Sequence, residues 1–240
     1  MSTSPPPAPA GPPAGTPVEP HPALDALIGV LHRLRGPGGC AWDAEQTHES
    51  LTRYLVEEAH ELIDAIEHGT RDDLLEELGD VLYQVLFHAD IAAAAPDSPF
   101  TIEDVAQRSM QKMVGRHPHV FGDVVADTAD EVSANWETWK AREKPARTSV
   151  LDGVPRALPA LVRAEKVLAK AAALGVQPAA VPTPLDPESA APADEAALGA
   201  ELLQLAAAAR ERGWDSERAL RSAVRVLEAD IRAAESSRPA

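Results

Sequence analysis

Glu57, Glu58 and Glu61 form one acidic run, E-E-x-x-E, and Glu77 and Asp80 form a second, E-x-x-D. Set on two successive helices, these spacings can bring about five carboxylates to one point. Like charges a few ångströms apart repel and raise one another's pKa, so such a group needs a compensating cation. All-oxygen ligation suits Mg²⁺, with Mn²⁺ as a substitute. Hard cations held by carboxylates commonly serve to bind phosphate groups. Any single glutamate here reads most simply as a solvated side chain. The set does not: from His48 to Asp90 there are 12 acids and 2 bases, and none of the bases lies between Arg53 and Arg71. A solvated acidic helix normally carries Lys or Arg at i+4 to offset the repulsion.

An anionic phosphate substrate also needs positive groups. Lys112 and Arg116 stand at i and i+4, and Lys140 and Lys144 repeat that spacing, which puts each pair on one helix face. Arg142 and Arg147 are weaker candidates of the same kind. Trp42 and Trp136 offer planes on which a base can stack, although a core or interface anchor is the more ordinary role for either. No histidine has the spacing of a zinc site, and His117 and His119, around Pro118, read as structural. There is no G-x-x-x-x-G-K-[ST] string, which excludes a P-loop ATPase.

The elements that must position the acids are helices. Leu51, Leu55, Leu62, Ile63 and Ile66 form one apolar stripe, predicting a helix over 48–68 that Gly69 ends. Thr70 and Asp73 make a capping box for the next, which carries Leu74, Leu75, Leu78, Val81, Leu82, Val85 and Leu86 to about residue 94. The short connection at Gly69 implies an antiparallel hairpin. Glu61 and Glu77 lie equally far from the turn and so fall level across it. Further helices are expected from Pro22 to the stop at Gly36-Pro37-Gly38-Gly39, from the capping box Thr101/Asp104 to His117, and over 130–144, 159–174, 195–211 and 216–235. Residues 40–47 read as a loop. No segment has convincing strand alternation.

Four regions follow: a Pro/Ala-rich tail over 1–20 that reads as disordered, a helical domain over 21–176, a linker over 177–194 with 5 prolines, and a last helical unit over 195–240. Ala197-Leu198-Gly199-Ala200 echoes Glu77-Leu78-Gly79-Asp80 with alanine in place of acid, as an eroded second copy would. The fold class is all-α: apolar residues are 45% and aromatics only 4%, favouring a helical core rich in Ala and Leu. A formal charge of −16 disfavours nucleic acid and anionic membrane as partners. No segment reads as a signal peptide or a membrane span. Cys40 is the single cysteine, so no intrachain disulfide forms, as suits the cytoplasm.

The acids and their flanks resemble the MazG family of nucleoside triphosphate pyrophosphohydrolases. The matching strings are Glu57-Glu58-x-x-Glu61, Glu77-Leu78-Gly79-Asp80-Val81-Leu82, Cys40-Ala41-Trp42-Asp43 with Gln46-Thr47-His48, Arg116-His117-Pro118-His119-Val120-Phe121, and Asn135-Trp136-Glu137 with Lys140. They lie between about Leu24 and Gly175. Ala41 stands where the family usually has proline. The resemblance implies an all-α fold in which two chains dimerise and their helix hairpins form four-helix bundles. It also implies cleavage between the α and β phosphates, giving a nucleoside monophosphate and pyrophosphate. Glu58, Glu61, Glu77 and Asp80 match metal-ligand positions, and Glu57 matches a position for a further metal or for activating the water. Lys112 and Arg116 are favoured as phosphate contacts. Many relatives carry a second catalytic domain beyond Gly175, whereas that half lacks both acid motifs here. The reading is therefore a cytoplasmic Mg²⁺-dependent hydrolase of nucleoside triphosphates that clears unwanted nucleotides, as a homodimer or higher homo-oligomer. Two alternatives stay open: a non-catalytic helical dimer that binds nucleotide, and a narrower enzyme for dUTP or dCTP.

Overall fold

The computed structural model describes residues 20–142, 148–177, 192 and 194–236. Among them the chain is helical throughout, with no strand: α1 Pro22–Arg35, α2 Ala41–Glu45, α3 Thr52–His68, α4 Arg71–Ala93, α5 Ile102–Arg116, α6 Pro118–Phe121, α7 Ala129–Arg142, α8 Ala160–Ala173, α9 Glu195–Glu211 and α10 Ser216–Ser236. The tail over 1–19 and nearly all of the proline-rich 177–194 stretch lie outside the described residues. The helices form two compact units, Met1–Lys144 and Pro145–Ala240. No helix among the described residues is long and apolar enough to cross a membrane.

In the first unit α3 and α4 pack as a hairpin. The capping box is complete: Asp73 N donates to Thr70 Oγ1 at 3.2 Å and Thr70 N donates to Asp73 Oδ2 at 2.7 Å. Thr101 and Asp104 do the same for α5. These reciprocal bonds satisfy amides that the first helical turn leaves orphaned, and they lower the pKa of both aspartates. Gly69 ends α3 in extended backbone, φ −76°, with its N–H on Ala65 O. A Cβ there would come within 2.7 Å of the Ala65 backbone. The turn therefore needs glycine for space rather than for a left-handed φ.

Leu31, Leu51, Leu86 and Phe87 form the buried centre, with Leu27, Ile28, Tyr54, Tyr83, Ile91 and Ile102 packed around it. α1 is fastened to α4 by Arg35, whose guanidinium lies 5.1 Å from the Phe87 ring centre and donates to Asp90 at 2.7 Å. The same side chain donates to the Asp43 carbonyl at 2.7 Å. That bond fixes α2 where the sequence predicts only loop, because five residues are too few to show a period. The helix expected from residue 48 starts instead at Thr52. Gln46, Thr47 and Ser50 close a turn before it: Thr47 N donates to Ser50 Oγ, Ser50 N to Thr47 Oγ1 and Ser50 Oγ to Gln46 Oε1. Hydroxyl and amide side chains that bond nearby backbone compete with helix in this way.

In the second unit α8, α9 and α10 pack together, burying Leu168 and Ala206. Asp194 caps α9. Glu165 of α8 accepts from Ser216 N and Oγ at 2.8 and 2.7 Å, tying down the start of α10. α8, which the sequence groups with the catalytic domain, thus packs with the last two helices.

Candidate metal centre

The hairpin brings acids from both helices to one place. Oxygens of Glu58 on α3 and of Glu77 and Asp80 on α4 all lie within 4.8 Å of one another. Glu77 and Asp80 share a face at i and i+3, and the level register across Gly69 sets Glu58 opposite them. Glu57 follows the other side of α3, since consecutive helical residues diverge by about 100°. It is exposed and influences Glu58 alone among the raised acids. Glu61 sits at the margin, raising the pKa of both Glu58 and Glu77. The five expected carboxylates are thus a trio, one neighbour and one outlier.

The trio fits a small divalent cation. Glu77 Oε2 is shielded from solvent and has no hydrogen-bond partner, the condition of an acceptor waiting for a ligand. Burial pushes the Glu58 carboxyl above the ordinary glutamate range, and Asp80 and Glu61 add to the shift. Burial likewise raises Glu77, followed by the charges of Glu61 and Asp80. The two bases of the stretch are engaged locally: Arg53 lies over the Tyr54 ring, and Arg71 pairs with Asp72. Oxygens on one octahedral ion with ~2.1 Å bonds lie at most ~4.2 Å apart, a little inside the 4.8 Å within which the trio falls.

The proposed substrate contacts fall elsewhere in the first unit. Lys112 and Arg116 line an open groove of about 1220 Å³ along α5, beside Phe100 and Arg108. The Arg116 guanidinium lies 5.6 Å from the ring centre of Trp136, which His117 meets edge-on, also at 5.6 Å. His119 stacks on the buried Trp139 at 5.3 Å. Trp42 is exposed and edge-on to Tyr54 at 5.8 Å. Lys140 lies in α7, but its side chain is outside the described residues, as are Lys144 and Arg147. Two features have no signal in spacing. One is Trp139 as the platform for His119. The other is the pair His48 and His88, whose rings are within 8° of parallel with Nδ1 atoms 2.8 Å apart. At that distance one ring donates a hydrogen bond to the other.

Residues 46–121 match the model of the MazG nucleotide pyrophosphohydrolase domain. The chain is 47% identical over 209 residues to an uncharacterized 26.1 kDa protein of Streptomyces cacaoi, covering 87% of this chain and 81% of that one. It is 46% identical over 172 residues to the nucleoside triphosphate pyrophosphohydrolase of Mycolicibacterium smegmatis, covering 70% of this chain and 52% of that protein. The Escherichia coli K12 protein of the same name is 43% identical over 155 residues, 63% of this chain and 58% of its own length. The chain thus spans little more than half of those two relatives.

Proposed function

The chain belongs to the MazG family, and on that premise we propose that it is a Mg²⁺-dependent nucleoside triphosphate pyrophosphohydrolase that releases a nucleoside monophosphate and pyrophosphate. The observation that carries this is the cross-hairpin trio Glu58, Glu77 and Asp80, with its solvent-shielded, unpartnered oxygen. These three residues hold Mg²⁺, or Mn²⁺ in its place, and Glu61 completes the set from the margin. A cation held there would supply charge neutralisation on the phosphate chain and a more acidic water. Glu57, outside the trio, is the candidate for a further metal or for activating the water. Lys112 and Arg116 hold phosphate oxygens, Lys140 is a further candidate for that role, and Trp42 and Trp136 offer planes to the base. The cellular task is removal of unwanted nucleotides in the cytoplasm.

The same hairpin supports pairing of two chains. Leu55 and Val56 on α3 and Leu75, Leu78, Leu82 and Val85 on α4 are exposed, an apolar patch next to the acids of the kind that marks an interface. Gly79 stands among them, where a Cβ would meet nothing within 4 Å. A helical glycine costs about 1 kcal/mol relative to alanine, and close approach of a second helix accounts for it. The second unit is an eroded copy without chemistry.

A panel of nucleoside triphosphates incubated with Mg²⁺ and scored for pyrophosphate release tests the assignment. Release from at least one triphosphate, abolished by EDTA, is expected. Nucleotide binding without release from any member would favour the non-catalytic scaffold instead.

A further inference from the structure

The last helix turns its apolar side away from its own unit. In α10, Leu220, Val224, Leu227 and Ile231 recur at intervals of four, three and four, and with Ala234 they occupy about 80° of arc. They are 55%, 46%, 59% and 49% exposed. The half-buried residues of the helix are Ser216, Glu217, Arg221 and Arg225, and the last three form an i, i+4, i+8 row about 100° around from the stripe. The packing of the unit thus uses a charged row and leaves the stripe in water.

The stripe has the form of a two-stranded seam. β-Branched Val224 and Ile231 alternate with Leu220 and Leu227, as a and d positions of a heptad. The charged edge beside it identifies the partner and its direction. Within the helix Arg221 pairs with Glu217 at 3.8 Å and Arg232 with Glu228 at 3.7 Å. From N to C this side of the helix carries Glu217, Arg221, Arg225, Glu228 and Arg232, with one ion pair at each end. A second copy running the opposite way sets Arg221 against Glu228 and Glu217 against Arg232, so each existing pair gains a neighbour of opposite sign. A parallel copy sets this edge against the opposite one, which carries Ala219 and Ala223, and the pairs gain no such neighbour. On the other edge Ala219 and Ala223 are small enough to let two helices approach closely.

We infer that the second unit self-associates through an antiparallel α10–α10 pair, with a second copy of this chain as the occupant of the stripe. The contact is separate from the α3–α4 patch and does not depend on the chemistry assigned to the first unit. Antiparallel register sets Val224 opposite Leu227, and Leu220 opposite Ile231.

Disulfide trapping in the full chain tests it. Cys40→Ser removes the native thiol, and Val224→Cys and Leu227→Cys are then made on separate chains. Oxidation of the mixture is expected to yield linked dimer at least five times faster than either chain alone. Adding Glu228→Arg to the Leu227→Cys chain should slow the mixture several-fold, and Arg221→Glu on the Val224→Cys chain should restore it. Leu220→Cys mixed with Ile231→Cys repeats the test at the neighbouring layer, should the first pair disturb folding by circular dichroism. Self-linking of Val224→Cys as fast as the mixture would mean a parallel pair and overturn the proposal. So would the absence of linkage in both layers while helicity is retained.

Discussion

Glu77-Leu78-Gly79-Asp80 and Ala197-Leu198-Gly199-Ala200 differ in more than their acids. The first string lies two turns into α4, past the Thr70 cap, and faces Glu58 across the hairpin. The second occupies the opening turn of α9, where Asp194 already accepts from Ala197 N at 2.8 Å. An acid placed there would be stabilised by free amides and the helix dipole rather than by a shared cation. The residue facing it across a hairpin is also missing, since no E-E-x-x-E precedes α9. A metal centre of this type depends on register between two helices, and apolar positions survive its loss.

The largest effect expected from this contrast is catalytic. Asp80→Asn and Glu77→Gln should each lower pyrophosphate release by about 100-fold or more, because ligands of one centre act as a unit. Ala200→Asp and Ala197→Glu should leave the rate at the parent value, as should Glu67→Gln, which lies on α3 outside the motif. The mutants should keep or raise the metal-free melting temperature, since removing one of several crowded carboxylates relieves repulsion. Parent-like turnover by Asp80→Asn would break the contrast.

Next comes the metal itself. At a hundred times its Kd, Mg²⁺ should stabilise the first unit by about 2.7 kcal/mol through mass action and leave unfolding of the second unit unmoved. Glu58 and Glu77 have raised pKa values. The metal-free fold thus gains stability from them below the ordinary glutamate range and loses it as pH rises through the raised values. The cation needs both deprotonated, so the Mg²⁺ increment should grow over that same interval. Melts in EDTA and in Mg²⁺ at several pH values measure this, and superimposable curves would remove the carboxylate centre.

A smaller effect separates the units by pH. All eight histidines precede residue 120, so only the first unit can respond through imidazole. Burial, then the neighbouring His48, lowers the His88 pKa. A depressed folded pKa contributes stability that is present above the ordinary histidine range and is lost as pH falls through the folded value. The His88 contribution should therefore be lost as pH falls below the ordinary histidine range, opposite in sign to that of Glu58 and Glu77, and His88→Gln should remove it. An unchanged pH dependence in His88→Gln would show that the His48–His88 contact carries no pH-dependent stability.

The smallest expected effect compares two glycines. A Cβ added at Gly79 or at Gly199 would meet nothing within 4 Å, so within one chain Gly→Ala should stabilise each helix by up to about 1 kcal/mol. Gly199→Ala should show that gain. Gly79→Ala should not, because the Cβ would enter the face proposed to pair with a second chain. Equal gains at both positions would argue against close helix approach at the α3–α4 patch.

Much of this architecture follows from local pattern. Both threonine–aspartate capping boxes, the level hairpin about Gly69 and the helical periods all depend on neighbours within a few residues, and the chain's order alone determined them. The acidic motifs were equally plain, as was the family they resemble. Tertiary structure decided the rest. It selected Glu58, Glu77 and Asp80 from five acids, because consecutive residues of one helix cannot all face the same partner. It joined His48 to His88, forty positions apart, and fixed α2 through Arg35 in a segment too short to show a period. It packed α8 with α9 and α10, and it turned the charged row of α10 inward and the apolar stripe out. Periodicity shows that a helix has an apolar side; only the packing of its neighbours determines whether that side is covered.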